Sequence, residues 1–402
     1  MMRKALDVAV LFDFFVKIKY NQIINFSEML LMKSVLFFIE SLSHGGAEKI
    51  FATFIKKTKN TYDVFTETDG EIYTEIVRNN SHYRSMVHAT GSVFGRLLNK
   101  IKIKASLVFS PDFVRRFFIG GSYDVEVAFC EGYSTKIIGN SKSKAKKIAW
   151  VHTDVVNNPW SEKIFGSAQE EKLCYEKFDA IVCVAQTMKD SFVKKYGMEE
   201  KIHVLYNPID FDSVRKKGTE SVDIKKGQGV NFVLAGSFVQ VKGYSRFINV
   251  CERLKKDGYI FSVLIMGDGE EKEATKRTIS EKKLCDTIAV LDFQTNPYKY
   301  IKNSDVFVCC SYAEGYSTAV SEAVVLGVPI ITTECSGMRE IFGNNECGII
   351  CENSVDGLYN AMKTVLDNPS ILKRFGEEEL IRANDFSLEK RVKEIENFIE
   401  SI

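Results

Sequence analysis

Short apolar runs alternate with amphipathic stretches along most of the chain. Val35 to Glu40, Val125 to Cys130 and Lys147 to Val151 are apolar and rich in β-branched or aromatic residues, as in strands buried on both faces. Helical patterns such as 47–57 separate them, and a second alternating series begins near Asn231. The pattern predicts an α/β fold made of two doubly wound domains.

The predicted boundary between the two series is at Asn207-Pro208, because Asn-Pro favours a turn. We therefore expect an N-terminal domain over 32–208 and a C-terminal domain over 209–385, with a closing helix at 386–402. Residues 1–31 precede Met32, which leads directly into the first strand. They are expected to be an extension, either an amphipathic helix on a membrane surface or the product of a misplaced start.

One stretch of the second domain concentrates polar residues at the end of a predicted strand. Val306 to Cys310 is followed by a loop and by a helical pattern from about Tyr316 to Leu326. Glu314 and Glu322 lie eight residues apart, roughly 12 Å along the axis if both were helical. The backbone N–H groups of 315–317 form an anion site at the helix N-terminus. This layout suits a ligand with hydroxyls at both ends and a diphosphate between them, such as a nucleotide-sugar.

The residues of this stretch carry a resemblance. Glu314-Gly-Tyr-Ser-Thr-Ala-Val-Ser-Glu322-Ala, with Gly327-Val-Pro329 and Gly337-x-x-Glu340 after it, resembles the E-x7-E signature of family 4 glycosyltransferases. The resemblance spans roughly 32–402 and is strongest to bacterial enzymes of capsular polysaccharide and exopolysaccharide synthesis. It implies a retaining transferase of GT-B fold, whose two Rossmann-like domains face each other across a cleft. The last helix of such enzymes packs back on the first domain.

The resemblance also implies roles for individual residues. Glu314, Lys242 and His152 are expected to be catalytic, with Glu314 on the sugar hydroxyls, Lys242 on the diphosphate and His152 beside the sugar and the acceptor. The expected donor-binding residues are Gly45, Gly46, Ser237, Gly243, Gly267, Asp292, Phe293, Gly315, Tyr316, Ser317, Thr318 and Glu322. His44, in the same loop as Gly45, is a weaker candidate.

Ser237 is the main departure from the family pattern. It stands where the family has an arginine, in Gly236-Ser-Phe-Val-Gln-Val-Lys242-Gly243. A lysine keeps a point charge but lacks the bidentate fork of a guanidinium. Lys242 and the helix N-terminus near Gly315 are therefore expected to carry more of the leaving-group stabilisation.

The implied reaction requires no metal and no cofactor besides the nucleotide-sugar co-substrate, for which a UDP-sugar is expected. The implied acceptor is a lipid-linked saccharide or another oligosaccharide. A net charge of +1 gives no reason to expect nucleic-acid binding. The ten cysteines contain no Cys-x-x-Cys pair, which favours a reducing cytoplasm.

Basic residues are concentrated in the first domain. Residues 80–150 contain 12 basic and 4 acidic side chains. Within 92–119, Lys100, Lys102, Lys104, Arg115 and Arg116 are mixed with apolar residues, as in helices on membrane surfaces. A helix packed on the first domain explains the same composition. We expect a cytoplasmic enzyme, peripheral on the inner face of the cell membrane.

Two other functions stay open from the sequence. A nucleotide-sugar epimerase has the same fold, but it needs carboxylates placed for proton transfer, and none is evident. A non-catalytic subunit that assists a partner glycosyltransferase is the second, because of Ser237.

The sequence Glu131-Gly-Tyr-Ser-Thr echoes the one at Glu314, by chance or through related positions of two similar domains. Gly139 stands eight residues after Glu131, so Glu131 is not expected to bind the donor.

Overall fold

A computed structural model describes residues 33–43, 45–70, 72–88, 92–222, 224 and 226–402. The extension 1–31 and His44 lie outside these ranges.

The first domain is built on a seven-stranded sheet. Its strands are β1 (Val35–Ile39), β2 (Asp63–Thr68), β3 (His82–Val87), β4 (Val125–Ala128), β5 (Lys146–Val151), β6 (Ala180–Cys183) and β7 (Ile202–Val204). Their order is β3-β2-β1-β4-β5-β6-β7, and every neighbouring pair is parallel. All five residues of β1 are buried because helices cover both faces of the sheet.

The second domain repeats this plan with six parallel strands. They are β8 (Val230–Ala235), β9 (Phe261–Met266), β10 (Ile288–Leu291), β11 (Val306–Cys309), β12 (Ile330–Thr333) and β13 (Gly348–Cys351). The order is β10-β9-β8-β11-β12-β13. Chain order reverses direction beside β1 in one sheet and beside β8 in the other, which defines two doubly wound domains, as predicted.

Helices connect the strands of both domains. In the first domain they are α1 (Gly46–Lys57), α2 (Thr74–Arg78), α3 (Val93–Val108), α4 (Pro111–Val114), α5 (Tyr133–Asn140), α6 (Glu162–Phe165), α7 (Ala168–Tyr175) and α8 (Gln186–Tyr196), with a π-helical turn at Arg115–Ile119. The later helices are α9 (Phe211–Gly218), α10 (Tyr244–Lys256), α11 (Lys272–Glu281), α12 (Tyr298–Lys302), α13 (Thr318–Leu326), α14 (Met338–Phe342), α15 (Val355–Asp367), α16 (Ile371–Arg382) and α17 (Leu388–Ser401). Short 3-10 turns lie at Glu199–Lys201, Gln240–Lys242 and Ala383–Asp385.

The last helix, α17, lies against the first domain. Lys33 Nζ donates to the carbonyl oxygen of Glu400, and Thr58 Oγ1 donates to Glu396, each at 2.5 Å. The ring of Phe398 packs 4.7 Å from that of His203 on β7. The chain therefore crosses from the second domain back to the first and ties the two together.

Side chains cap α13 and α9 at their N-termini. Ser317 Oγ accepts from the N–H of Val320, so α13 begins at Thr318 and Glu314 lies in a loop. The separation of about 12 Å, which assumed a helix throughout, therefore does not apply. The Asp210 side chain likewise accepts from the N–H of Ser213 and caps α9 just after the predicted domain boundary.

Candidate functional site

A cavity of about 600 Å³ lies between the two domains. It is lined by loops that follow the carboxyl ends of parallel strands in both sheets, where ligands bind in open α/β folds. The predicted residues that line it are Gly45, Gly46, His152, Ser237, Lys242, Gly267, Phe293, Glu314, Gly315, Tyr316, Ser317, Thr318 and Glu322.

Two predicted donor-binding residues lie outside the cavity. Gly243 begins α10 with a φ of 71°, and a Cβ atom there would lie 2.2 Å from the carbonyl oxygen of Cys310. This turn by itself requires a glycine, and a donor contact at Gly243 stays a prediction. The Asp292 side chain is 82% exposed and pairs with Lys272 Nζ at 2.7 Å. Asp292 lies in the loop after β10, next to the cavity-lining Phe293, but its side chain pairs with Lys272 instead.

Glu314 and Lys242 form an ion pair inside the cavity, with 2.7 Å between Oε1 and Nζ. Ser311 Oγ donates to the same carboxylate oxygen. Burial lowers the pKa of Lys242, but the Glu314 carboxylate, together with the nearby Cys309 and Cys310, holds it above the usual value. The cavity therefore contains an ammonium group beside a carboxylate that can accept from hydroxyl groups.

Glu322 forms a second ion pair, and this one joins the two domains. Its carboxylate, on α13, is only 5% exposed and contacts Lys49 Nζ from α1. Tyr298 donates its hydroxyl to the same oxygen, Oε1, at 3.2 Å, and Lys49 Nζ lies 4.9 Å from the Tyr298 ring centre. Burial and the Glu322 charge raise the pKa of Tyr298, so its hydroxyl stays a donor.

The N-terminus of α13 faces the same space, and its first N–H groups have no acceptor within the helix. Gly315, just before it, lies against the other domain: a Cβ atom there would be 1.9 Å from the carbonyl oxygen of His152. A glycine is therefore needed where the two domains meet. Across the cavity, a Cβ atom on Gly46 would lie 3.5 Å from Thr318 Oγ1.

His152 lies in the cavity wall as a neutral ring. Burial lowers the pKa of His152 to about 4, although its hydrogen bond to a carbonyl raises it in part. Because Nε2 lies 2.9 Å from the carbonyl oxygen of Phe129, Nε2 carries the proton and Nδ1 is an acceptor. His152 can therefore accept from a hydroxyl group but is not a general acid near pH 7.

Two family models match the two halves of the chain. The model described as Glycosyltransferase Family 4 matches residues 62–213, and the one described as Glycosyl transferases group 1 matches residues 219–380. The chain is also 25% identical, over 88% of its length and 96% of the relative's, to an N-acetylgalactosamine-N,N'-diacetylbacillosaminyl-diphospho-undecaprenol 4-alpha-N-acetylgalactosaminyltransferase of Campylobacter jejuni.

Solved structures of GT-B proteins share the fold. HepE of Anabaena, in complex with UDP and glucose, superposes with a TM-score of 0.72 at 15% identity, over 92% of this chain and all of that one. Sucrose-phosphate synthase of Thermosynechococcus elongatus superposes with a TM-score of 0.69 at 13% identity, over 92% and 99%. The chain is a GT-B glycosyltransferase.

Glu131 of this GT-B glycosyltransferase has a structural role that the sequence did not indicate. It is 2% exposed, and its Oε1 accepts from the N–H groups of His152 and Thr153 at 2.6 and 2.5 Å and from the Thr153 hydroxyl. It therefore holds the loop after β5 in place. The repeat of the Glu314 sequence at Glu131 indicated only that Glu131 follows a strand, as it does after β4.

Glu340 joins the two domains of the glycosyltransferase at the far side of the cleft. Its carboxylate accepts from the N–H groups of Gln186 and Thr187, at the start of α8, at 2.7 and 2.9 Å. The hydroxyls of Thr187 and Tyr206 donate to it as well, each at 2.9 Å. Glu340 thus caps a helix of the other domain, a partner that sequence spacing does not show.

Within the described residues, no three His, Cys, Asp or Glu side chains are grouped so that they could hold a metal ion. The expectation of a metal-independent reaction stays a prediction.

Proposed function

We propose that this GT-B glycosyltransferase is a retaining, metal-independent enzyme. In this proposal it moves a sugar from a nucleotide-sugar, a UDP-sugar in the first instance, to a lipid-linked saccharide in polysaccharide synthesis. The observation that carries the proposal is the arrangement of the cavity. Glu314 and Glu322 each hold a lysine at the two ends of a space that the N-terminus of α13 faces.

This arrangement supports a nucleotide-sugar as donor. Glu314 is assigned to the sugar hydroxyls and Glu322 to the ribose hydroxyls. Lys242 and the first turn of α13 are assigned to the diphosphate between them. Negative charge builds up on this group as the glycosidic bond breaks, and preorganised positive potential stabilises that charge. The complex of HepE with UDP and glucose supports UDP as the first nucleotide to test.

Retention of the anomeric configuration rests on the resemblance to family 4 enzymes. The contacts of Glu314 are consistent with it, because Lys242 and Ser311 both bind its Oε1 and a carboxylate so engaged is a weakened nucleophile. In the proposed step the incoming hydroxyl passes its proton to the departing phosphate oxygen on the same face of the sugar. His152, as a neutral acceptor, orients a hydroxyl of the sugar or acceptor.

The proposed acceptor is a saccharide on a lipid carrier. The name of the Campylobacter relative describes transfer to a diphospho-undecaprenol-linked sugar, which supports this class. Such an acceptor lies at a membrane surface, so the enzyme is proposed to act as a peripheral protein on the inner face of the cytoplasmic membrane. In the described part of the chain no helix is both long and apolar enough to cross a bilayer.

The first domain has a surface that suits this location. One face of α3 and the segments after it exposes apolar side chains, which are Phe94, Leu97, Leu98, Ile101, Leu107, Val108, Phe109 and Phe117. Arg96, Lys100, Lys104 and Arg116 are exposed beside them. Residues 94, 97, 98 and 101 follow helical spacing, so they form one stripe. We call this set the α3 surface and propose anionic lipid as its partner.

Arg115 does not belong to the α3 surface, although the sequence placed it there. It is 4% exposed, and its guanidinium pairs with the buried Glu126 at 2.7 Å. The remaining basic residues are still enough to complement anionic headgroups. α3 packs on the first domain through Ser106 and exposes other side chains, so the membrane contact stays a proposal that this exposed surface supports.

The test is a transfer assay with UDP-, GDP- and ADP-sugars and a polyprenyl-diphosphate-linked saccharide. Glu314→Gln and Lys242→Met should each lower turnover by roughly 100- to 1000-fold. The first removes the carboxylate assigned to the sugar hydroxyls, and the second removes the ammonium group assigned to the charge that develops on the diphosphate. Lys256→Met is the matched control, because this lysine is 71% exposed and pairs with Glu252 outside the cavity. Nucleotide-sugar binding without turnover on any lipid acceptor would instead favour a non-catalytic partner subunit. A changed donor sugar without transfer would favour an epimerase.

A further inference from the structure

Lys49 is a cavity residue without a role in the reaction described above. It belongs to α1 of the first domain, one turn after Gly46, and its side chain is 28% exposed. Its Nζ contacts Glu322 of the second domain. The pair therefore spans the cleft at the point where the proposed function places the ribose.

The two ion pairs of the cavity have the same composition. Lys242 pairs with Glu314 and Lys49 pairs with Glu322, so each glutamate assigned to hydroxyl groups holds an ammonium group in the free enzyme. The proposed function moves Lys242 to the diphosphate and leaves Glu314 for the sugar. Lys49 lines the cavity beside Glu322 as Lys242 does beside Glu314.

The charge of the cavity gives a reason for Lys49 to exchange Glu322 for the diphosphate. Among the described residues, the charged ones that line the cavity are Glu48, Asp268, Glu314, Glu322, Lys49, Lys217 and Lys242, four acids and three bases. A diphosphate adds about two further negative charges to this set. Ammonium groups that turn toward the diphosphate offset this charge, and hydrogen bonds to charged groups are about twice as strong as neutral ones.

We infer that Lys49 is a diphosphate-binding residue that leaves Glu322 when the nucleotide enters. This inference rests on the proposed function and extends it. The ribose hydroxyls donate to Glu322 in place of the ammonium group, and Tyr298 keeps donating to the same carboxylate. Lys49 then pairs with a phosphate oxygen. Because Lys49 comes from the first domain, the exchange makes donor binding depend on both domains.

The test compares a nucleoside with its diphosphate. UDP, GDP and ADP are first titrated into the wild-type protein by calorimetry. The one that binds is then paired with its nucleoside, which carries the ribose hydroxyls but no phosphate, and the nucleoside is measured by competition. Lys49→Met keeps the length of the side chain without its charge. Lys56→Met, an exposed lysine on the same helix, is the matched control, and Lys49→Arg tests rescue.

In Lys49→Met the diphosphate should bind about 10- to 100-fold more weakly, while the nucleoside should bind unchanged or more tightly. Lys49→Arg should restore most of the diphosphate affinity. If both ligands bind more tightly to Lys49→Met, Lys49 only blocks the ribose position, and the inference is wrong. If the diphosphate and the nucleoside both bind more weakly to Lys49→Met by the same factor, Lys49 only orients Glu322, and the inference is also wrong. If no diphosphate binds to the wild type, the proposed donor class itself fails.

Discussion

Glu40, in the first domain, shows how strongly burial perturbs a single carboxylate. It follows β1 and accepts from the N–H groups of Tyr133 and Ser134 at 2.6 and 3.2 Å. Burial, the largest influence, raises the pKa of Glu40 to about 7, and the charges of Glu67 and Glu131 act in the same direction. The protonated form is thus favoured in the folded protein, whereas the unfolded chain loses this proton near pH 4.5.

Glu40→Gln should remove a pH dependence of stability. Between pH 4.5 and 7 the folded state binds the Glu40 proton more tightly than the unfolded chain does, so the wild type loses stability as pH rises. The loss is about 3 kcal/mol, from 1.36 kcal/mol per pKa unit. We therefore compare the free energy of unfolding of Glu40→Gln with that of the wild type at each pH. The variant-minus-wild-type difference should be about 3 kcal/mol larger at pH 8 than at pH 4.5.

Urea denaturation at the two pH values measures this difference directly. A glutamine oxygen can still accept from both N–H groups, and any packing cost of the substitution is the same at both pH values. A gap between variant and wild type that does not change with pH would show that Glu40 titrates normally.

At the scale of elements, α3 combines two faces that rarely occur together in a helix facing water. Ser106 is 2% exposed and donates to Glu67, whereas Phe94 and Leu107 on other sides are each 68% exposed. Large apolar side chains grouped on a surface mark an interaction site. The basic residues between them select an anionic partner, and a bilayer supplies both properties.

The double variant Leu97→Asp, Ile101→Asp should bind vesicles of phosphatidylcholine with 30% phosphatidylglycerol at least 10-fold more weakly than the wild type. Both side chains are exposed in the protein, each at 54%, so folding should be unaffected. Co-sedimentation measures the binding. Ile260→Asp, an exposed apolar residue of the second domain, is the control and should bind like the wild type. If the double variant binds vesicles as well as the wild type does, the α3 surface is not the membrane contact.

At the scale of the whole molecule, several contacts outside the ion pairs of the cavity hold the two domains together. Gly315 meets His152 at the centre, and Glu340 caps α8 on one side. Ser336 Oγ also donates to Asp154 at 2.6 Å beside Glu340. Gly337, between them, lies against the loop of Gly315, where a Cβ atom would be 2.4 Å from the Gly315 carbonyl oxygen. The cap on α8 is thus connected to the loop that carries Glu314.

Glu340→Ala should therefore loosen the domain arrangement and lower turnover by about 10-fold or more. It leaves the N–H groups at the start of α8 without their carboxylate, and loss of such a cap costs about 1 kcal/mol or more. Small-angle scattering should show a larger radius of gyration. Glu346→Ala, which breaks an exposed pair with Arg374 inside one domain, should change neither quantity. An unchanged scattering curve and turnover for Glu340→Ala would contradict the coupling.

The sequence was informative wherever function follows from strand order. The family resemblance assigned Glu314, Ser237 and Phe293 to the donor site, and all three line one cavity because loops after parallel strands meet at one edge. Pairings between distant residues were not predictable: Lys49 and Glu322 are 273 residues apart, and Gln186 and Glu340 are 154 apart. No local pattern records such contacts, because they depend on how two separately folded sheets are placed.

Side-chain direction was the other limit. Asp292 and Arg115 stand at the expected positions, but each side chain turns to a neighbouring charge instead, Lys272 in one case and Glu126 in the other. Gly243 was expected to contact a ligand, and the structure shows that its φ of 71° serves a turn. Spacing predicts which loop a residue occupies, whereas packing decides which way it points.

The most direct measurement of the central claim is a crystal structure of the protein with a bound nucleoside diphosphate, UDP first. The account predicts that the ribose hydroxyls lie on Glu322 and that the diphosphate lies between Lys242 and the N-terminus of α13. A nucleotide bound outside the cleft, or inside it with its ribose away from Glu322, would contradict the account.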